Sequence, residues 1–443
     1  MKIAVAGTGY VGLVTGVCLS NIGHYVICVD NNESKILKLN KGELPICEPG
    51  LLDLVNQNKE RLNFTTDYSN AYKNADVIFI GVGTPENVDG TANLEYINKV
   101  IEQISESVNN DCVVVVKSTV PIGTNDEIEK YFKDNSRYII RVVSNPEFLS
   151  QGTAINDTLY ASRIVIGTND EVSKQIMEKL YEPLTKPPYN VPYLNMDRRS
   201  AEMVKYASNN YLALKISFIN EIANLCEKIN ANIDYVTKGM SYDNRIGDKF
   251  LNVGIGYGGS CFPKDTKALY NIGKKNNIEL KTVNACISVN NLQRMVLLKK
   301  LKSLYNNKIK GLTVAILGLT FKPNTDDIRE SAALDNIVLL LQENVIIKAF
   351  DPLIKNDIIK IIEDRLTDKK FIRNFYFFDK ISDAIKNSDS VLIFTEWEVI
   401  KNYDVNNYKL LMNTPIVIDG RNCYSLNQFK NSDIKYFSIG RNQ

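Results

Sequence analysis

Apolar residues open the chain in short runs set apart by polar stretches. Lys2 to Ala6 is one such run, and Gly7-Thr8-Gly9-Tyr10-Val11-Gly12 is a tight turn. Leu13 to Ile22 has helical spacing, and Tyr25 to Val29 is a second apolar run closed by Asp30. The pattern predicts strand, turn, helix, strand. Further buried-type strands are predicted from Asp76 to Gly81 and from Cys112 to Lys117, with others at Arg141 to Val143 and Arg163 to Ile166. Strands alternating with helices indicate a parallel sheet covered by helices on both faces.

From Asp197 to about Asn230 the period changes. No Pro or Gly interrupts this stretch, so one long helix is expected, with Asn195 or Asp197 as its N-cap. More helix is predicted around Lys264 to Asn277 and Val283 to Leu301. Then the opening pattern returns. Leu312 to Gly318 predicts a strand, Ser331 to Gln342 a helix, and Val345 to Phe350 a strand ending in Asp351-Pro352. Asn387 to Phe394 echoes Asn74 to Ile80 in pattern, and Pro415 to Asp419 supplies a last strand. This second half carries no G-x-G-x-x-G and is expected to hold any nucleotide differently. The expected fold class is α/β, with two doubly wound, Rossmann-like domains over 1–196 and 306–443. A long central helix and a helical middle domain, 197–305, join them.

A chain of 443 residues has room for two or three cores. With 44% hydrophobic and 23% charged residues it reads as a soluble globular protein. Lys plus Arg (53) nearly cancels Asp plus Glu (51), so charge makes no case for nucleic acid or a membrane surface as partner. There is no apolar signal core, and no uncharged apolar run nears the ~20 residues that span a bilayer. A cytoplasmic location is expected. The eight cysteines are scattered without a C-x-x-C pair, so most are expected to be small buried hydrophobes, and neither a disulfide framework nor a bound metal is expected. His24 is the only histidine, which removes the usual general base and multi-histidine zinc sites. An enzyme of this composition must work with Cys, Lys, Asp, Glu, Asn and Thr.

Gly7, Gly9 and Gly12 follow a strand and open a helix. The first permits the turn, the second lets the backbone approach a pyrophosphate, and the third lets helix and strand pack closely. Free N–H groups at the helix start then face the phosphates. Asp30 ends the second strand where a carboxylate holds ribose hydroxyls; it would repel a 2′-phosphate, so NAD is expected over NADP. Gly81-Val82-Gly83-Thr84-Pro85 and Lys117-Ser118-Thr119-Val120-Pro121 end two more strands at the ligand edge of such a sheet. Both also suit plain strand-ending turns.

The strongest local signal is Gly254-Ile255-Gly256-Tyr257-Gly258-Gly259-Ser260-Cys261-Phe262-Pro263-Lys264-Asp265. Four glycines in six residues fit neither a regular helix nor a strand. They suit a backbone that closes around a ligand and presents Cys261 at the start of a helix, where the helix N-terminus and Lys264 would favour the thiolate. Asp265 adds a carboxylate able to influence a water or the thiol. A glycine-rich surface loop with an incidental cysteine is the plainer reading. Lys205 and Asn209 are one turn apart on the long helix, where an amine and an amide could stabilise an alkoxide or oxyanion. Glu147, in Asn145-Pro146-Glu147-Phe148-Leu149, could act as a base in a cleft.

These segments, taken with Glu48-Pro49-Gly50-Leu51 and Phe321-Lys322-Pro323-Asn324-Thr325-Asp326-Asp327-Ile328-Arg329-Glu330-Ser331, closely resemble the UDP-glucose/GDP-mannose dehydrogenase family over nearly the whole chain. The chain looks most like the branch acting on UDP-glucose, and less like those acting on GDP-mannose or UDP-N-acetylhexosamines, which stay as alternatives. The resemblance implies two oxidations of the sugar C6, alcohol to aldehyde to carboxylate, each using NAD. Cys261 would form a thiohemiacetal and then a thioester that water hydrolyses. It gives Lys205 and Asn209 the oxyanions, and Glu147, Thr119 and Asp265 the protons and hydrolytic water. It makes Glu147, Phe148, Leu149, Lys205, Asn209, Phe250, Leu251, Asn252, Val253, Gly254, Gly258 and Lys322 substrate contacts, with Arg421 a further one. Arg245 would reach the substrate across a homodimer interface. Cofactor contacts would be Gly7, Gly9, Tyr10, Val11, Gly12, Asp30, Lys35, Gly83, Thr84, Thr119, Gln151, Lys264 and Arg329. After Pro146-Glu147-Phe148-Leu149 the family usually continues Arg-Glu-Gly, where this chain has Ser150-Gln151-Gly152. Losing that charge is expected to alter cofactor affinity and spare the chemistry. Two other classes fit less well. A non-catalytic dinucleotide sensor would not need Cys261 or Lys205. A decarboxylating hydroxyacid dehydrogenase would need neither Cys261 nor a second nucleotide domain.

Overall fold

A computed structural model describes residues 1–354 and 357–442. They form two compact units, 1–208 and 209–443. The first is built on strands β1 (Lys2–Ala6), β2 (Tyr25–Val29), β3 (Leu62–Thr65), β4 (Val77–Ile80), β5 (Cys112–Val116), β6 (Ile140–Ser144), β7 (Ile164–Gly167) and β8 (Tyr193–Met196). They lie in the order β3-β2-β1-β4-β5-β6-β7-β8. All neighbours run parallel except β6 and β7, which meet antiparallel at Ser144 and Gly167. Alternation along β1 explains the layers. Ile3 and Val5 enter one core with Leu13, Val17 and Met177, while Ala4 and Ala6 enter the other with Ile97, Ile101 and Phe132.

The second unit carries β9 (Thr313–Leu317), β10 (Ile346–Phe350), β11 (Phe375–Phe378), β12 (Ser390–Ile393), β13 (Ile416–Asp419) and β14 (Lys435–Phe437). Their order, β11-β10-β9-β12-β13-β14, repeats the first six strands of the other sheet, and all pairs are parallel. Val314 and Ile316 join one core, which also takes Ile219 and Leu297 from the helical middle; Ala315 and Leu317 join the other.

The long helix runs Arg198–Ile229. Asp197 caps it, accepting Ser200 N at 2.9 Å, whereas Asn195 lies in β8 and donates to Glu178. The predicted helical stretch from Val283 to Leu301 is two helices, Lys281–Gln293 and Val296–Leu304. The break leaves Arg294 free to turn its buried guanidinium onto Asp335 and onto the carbonyl and carboxylate of Glu330. Among the described residues, no helix is long and apolar enough to cross a membrane.

Candidate active site

In the first unit the turn after β1 has the geometry its glycines require. Gly7 has φ +97°, and a Cβ there would meet the Gly81 carbonyl oxygen at 2.9 Å. A Cβ on Gly9 would meet nothing within 4 Å, so that backbone is open to a ligand. A Cβ on Gly12 would sit 2.0 Å from the Gly7 oxygen. The helix Tyr10–Asn21 starts here with no acidic residue in its first turn and no side-chain cap. Its free N–H groups suit a pyrophosphate. Asp30 ends β2 and braces the turn. Its Oδ2 accepts Thr8 N at 2.9 Å and Thr8 Oγ1 at 2.8 Å, and Lys35 Nζ lies 3.7 Å away. These bonds hold the Asp30 carboxyl below its ordinary range despite partial burial, and the ionised group keeps acceptor capacity for ribose hydroxyls. The residues present therefore fit a dinucleotide. Gly12→Ala is expected to destabilise the protein by about 1–3 kcal/mol through forced backbone shifts and to abolish measurable NAD binding, as thermal melts with and without cofactor would show.

The other expected cofactor residues of this unit are spread along the strand ends. Thr84 Oγ1 donates to the Thr119 carbonyl at 2.8 Å, tying the turn after β4 to that after β5, and Gly83 is exposed beside it. The Tyr10 hydroxyl donates to the Cys47 carbonyl. Half-buried Gln151 lies between two anchored amides: Ser150 N on Asp157 at 2.9 Å and Gly152 N on Glu48 at 2.7 Å. Glu48, on no site expectation, thus serves as a brace, taking Ala154 N as well.

Beyond β6, Glu147 is buried and its Oε1 accepts Lys205 Nζ at 2.8 Å, while its Oε2 accepts Leu149 N at 2.8 Å. Burial alone would raise the Glu147 carboxyl; Lys205 beside it, Leu149 N and Lys117 together more than offset that, and the group stays below its ordinary range. The Phe148 ring lies under the Arg163 guanidinium at 3.8 Å, with Lys205 Nζ 5.6 Å from the same ring. A base and a cation are thus held together in a buried pair.

In the second unit Cys261 is the N-cap residue of the helix Phe262–Lys275 and is exposed. Cys18, Cys28, Cys112, Cys226 and Cys286 are buried, and Cys47 and Cys423 are partly exposed. The glycine loop before Cys261 is shaped by the segment after β9. A Cβ on Gly258 would meet the Glu330 carbonyl at 2.3 Å, and one on Gly259 the Phe321 ring at 2.7 Å. Gly259 N donates to the Arg329 carbonyl at 3.0 Å. The two motifs, about 60 residues apart, therefore form one surface. The Arg329 guanidinium is bidentate on Asp327, at 2.8 and 2.7 Å, and lies near enough to Cys261 to interact with it electrostatically.

Lys264 gives its ammonium to the carboxylate of Asp265. Asp265 is itself fully buried and takes Asn209 Nδ2 at 2.6 Å. Arg421 is bound to the Phe394 and Phe321 carbonyls at 2.9 and 2.8 Å, which makes it a brace of the Phe321 segment. Lys322 Nζ sits 5.7 Å from the Phe321 ring.

The Phe250–Gly254 segment leads into the same loop. Phe250 has φ +63° and its ring lies 6.2 Å from that of Phe262. Leu251 and Gly254 are buried, Asn252 is exposed and Val253 is intermediate. Arg245 is 89% exposed by its side chain and pairs with Asp243. Three residues without motif support hold this loop. Asn220 takes Gly254 N at 2.8 Å, Asn290 takes Tyr257 N at 2.8 Å, and Gln293 donates to the Gly254 carbonyl at 2.6 Å.

Comparison with known proteins completes the picture. Three models of the UDP-glucose/GDP-mannose dehydrogenase family match: its NAD binding domain over 1–185, its central domain over 199–292 and its UDP binding domain over 315–426. The chain is 46% identical to the UDP-glucose 6-dehydrogenase YwqF of Bacillus subtilis, covering 100% of this chain and 98% of that one. It is 43% identical to the UDP-glucose 6-dehydrogenase TuaD of the same organism, covering 99% and 93%. A UDP-glucose dehydrogenase structure from Pyrobaculum islandicum superposes with a TM-score of 0.89 at 32% identity, covering 99% of this chain and 98% of that one. On matches that run its whole length, the chain belongs to the UDP-glucose/GDP-mannose dehydrogenase family, and its cofactor is NAD.

Proposed function

We propose that this protein is a UDP-glucose 6-dehydrogenase, converting UDP-glucose to UDP-glucuronate in two oxidations at C6. The observation that carries the reading is Cys261, exposed at a helix start inside a glycine-built loop, in a chain of this family. An aldehyde carbon can release its hydrogen as hydride readily only once a nucleophile has added to it, and a thiolate suits that task. Bound in each round, NAD supplies the acceptor for the hydride leaving C6.

The residues divide the remaining work. In the first oxidation the C6 hydroxyl loses a proton, for which Glu147 is the base and Lys205 the cation facing the developing oxyanion. The Cys261 sulfur then bonds to the aldehyde carbon, giving a thiohemiacetal. Its oxyanion is stabilised by Lys205 and by the Asn209 amide, which Asp265 orients. Loss of the second hydride leaves a thioester. Water adds to that carbon, the C–S bond breaks, and the carboxylate and free thiol are released, with Thr119 and Glu147 positioning the water. The Gly7–Gly12 turn, Asp30 and Lys35 hold the cofactor, with Gly83, Thr84, Thr119, Gln151, Lys264 and Arg329 as further contacts. Phe148, Leu149, the Phe250–Gly254 segment, Gly258 and Lys322 hold the sugar nucleotide.

The same reading includes a homodimer in the cytoplasm. Tyr211, Phe218 and Leu225 follow one another at seven-residue intervals on the long helix and are 63%, 48% and 53% exposed, an apolar stripe that a second copy would cover. Arg245, exposed and paired here with Asp243, would extend to a partner's substrate. Eight free cysteines suit a reducing compartment.

Purified protein given NAD and UDP-glucose should form two NADH per sugar consumed. One NADH per sugar overturns the covalent route, and turnover with GDP-mannose but not UDP-glucose overturns the substrate.

A further inference from the structure

Lys117 follows β5 and enters none of the roles above. Its Nζ donates to Asn145 Oδ1 at 3.1 Å. Asn145 is buried, donates to the Val165 carbonyl at 2.9 Å and accepts the Tyr181 hydroxyl at 2.6 Å. Two residues further on stands Glu147. A cavity of about 50 Å³ is lined by Lys117, Asn145, Glu147 and Tyr181 together with apolar side chains such as Leu19, Ile22 and Leu184. One buried carboxylate therefore has two ammonium groups near it: Lys205 in contact at 2.8 Å and Lys117 lining the same small cavity.

That arrangement answers a difficulty in the proposed chemistry. Lys205 pairs with Glu147 and must also face the substrate oxygen. A buried carboxylate whose sole cation turns away is driven toward its protonated form. We propose that Lys117 is a positioning residue of the reaction: bound to Asn145 and facing the Glu147 carboxylate, its ammonium keeps Glu147 ionised and in place while Lys205 serves the substrate. The inference rests on the reading of Glu147 and Lys205 as the catalytic pair.

The electrostatics agree. Burial brings Lys117 down to about 8, with Glu147 pulling it back up, so its charge is present at neutral pH and given up above it. Other ionisable groups face the cavity from every side: Cys18 on the first helix, Asp157, Arg163, and Tyr181. Burial pushes Cys18 up to about 12 and Tyr181 above its ordinary range, so neither titrates near neutrality. Arg163 remains a cation, stacked on Phe148.

The test is the pH profile of kcat and KM for Lys117→Gln and Lys117→Met. Glutamine keeps a donor for Asn145 without the charge. Removing the charge raises the pH at which Glu147 ionises, so both variants should lose roughly tenfold in kcat at the acid end. The deficit should shrink to about threefold or less at the alkaline end, where wild-type Lys117 has shed its own proton. KM for UDP-glucose should stay near wild type, and Lys117→Arg should recover the acid limb. A Lys117→Gln profile that superposes on wild type, or a loss uniform across pH, overturns the proposal; if the methionine variant does not fold, the glutamine variant decides. Glu147→Gln run alongside separates the two readings. If it is inactive while Lys117→Gln is wild-type, only the inference falls. If Glu147→Gln keeps wild-type kcat, the assignment of Glu147 falls and takes the inference with it.

Discussion

Cys261→Ala should form no UDP-glucuronate, with acid formation down by ~10³-fold or more and no more than one NADH per sugar. The first oxidation does not involve the sulfur, so aldehyde should accumulate, bound or as its hydrate, and be trapped by hydroxylamine. Stability should change by no more than about 0.5 kcal/mol, because the side chain is exposed and helix-capping by sulfur is weak. Mass spectrometry of the wild type quenched during turnover should in turn show a sugar-nucleotide adduct on the Cys261 peptide. Two NADH per sugar from Cys261→Ala would remove the thiol from the mechanism.

The second large effect is expected at Lys205. In Lys205→Met the Glu147 carboxylate keeps Leu149 N and faces Lys117, but loses its contact cation. Breaking a buried pair by removing one partner costs about 3–5 kcal/mol, and loss of the oxyanion cation costs about 10²–10³-fold in kcat. The double variant Lys205→Met with Glu147→Gln should recover part of the stability, since no buried carboxylate is left without its contact cation, while Lys117 loses the charge it faces. It should recover none of the activity. Chemical denaturation beside steady-state rates separates the two quantities, and equal recovery of both would show that the pair is purely structural.

What the amino-acid pattern revealed of the fold follows from burial. Strands β1, β4, β5, β9 and β12 lie inside their sheets and are apolar on both faces, so each stands out as a continuous run. The four strands that escaped detection, β3, β8, β11 and β14, are the outermost strands of the two sheets. Tyr193-Leu194-Asn195-Met196, for example, has no fully buried residue. An edge strand with mixed exposure has neither the alternation nor the run that marks a strand. Local chemistry hid the helix break at Arg294, since nothing near it is a Pro or Gly and its partners Asp335 and Glu330 are distant in sequence.

The site divides in the same way. Gly7, Gly12, Gly258 and Gly259 were legible because each meets backbone or a ring where a Cβ would stand. Asn220, Asn290 and Gln293 were not, because they lie on helices where any polar residue is acceptable to the local structure. Their task appears only once the Gly254–Tyr257 loop is folded against them. Lys117 was visible as part of a strand-ending motif, but its facing partner Glu147 lies 30 residues on. Lys264 shows the converse. Adjacency to Cys261 suggested a partner for the thiol, and the helical turn gave its ammonium to Asp265.

The exposure of Cys261 also governs how the protein ages. Dissolved peroxide reaches this sulfur before those of Cys18, Cys28, Cys112, Cys226 and Cys286, which are buried in the two units. Damage should therefore begin at the sulfur to which the proposed mechanism assigns the second oxidation, before it reaches the packed interior. A stored preparation loses its capacity to make acid with its fold intact. A reductant restores that capacity only while the sulfur has gone no further than sulfenic acid or a mixed disulfide.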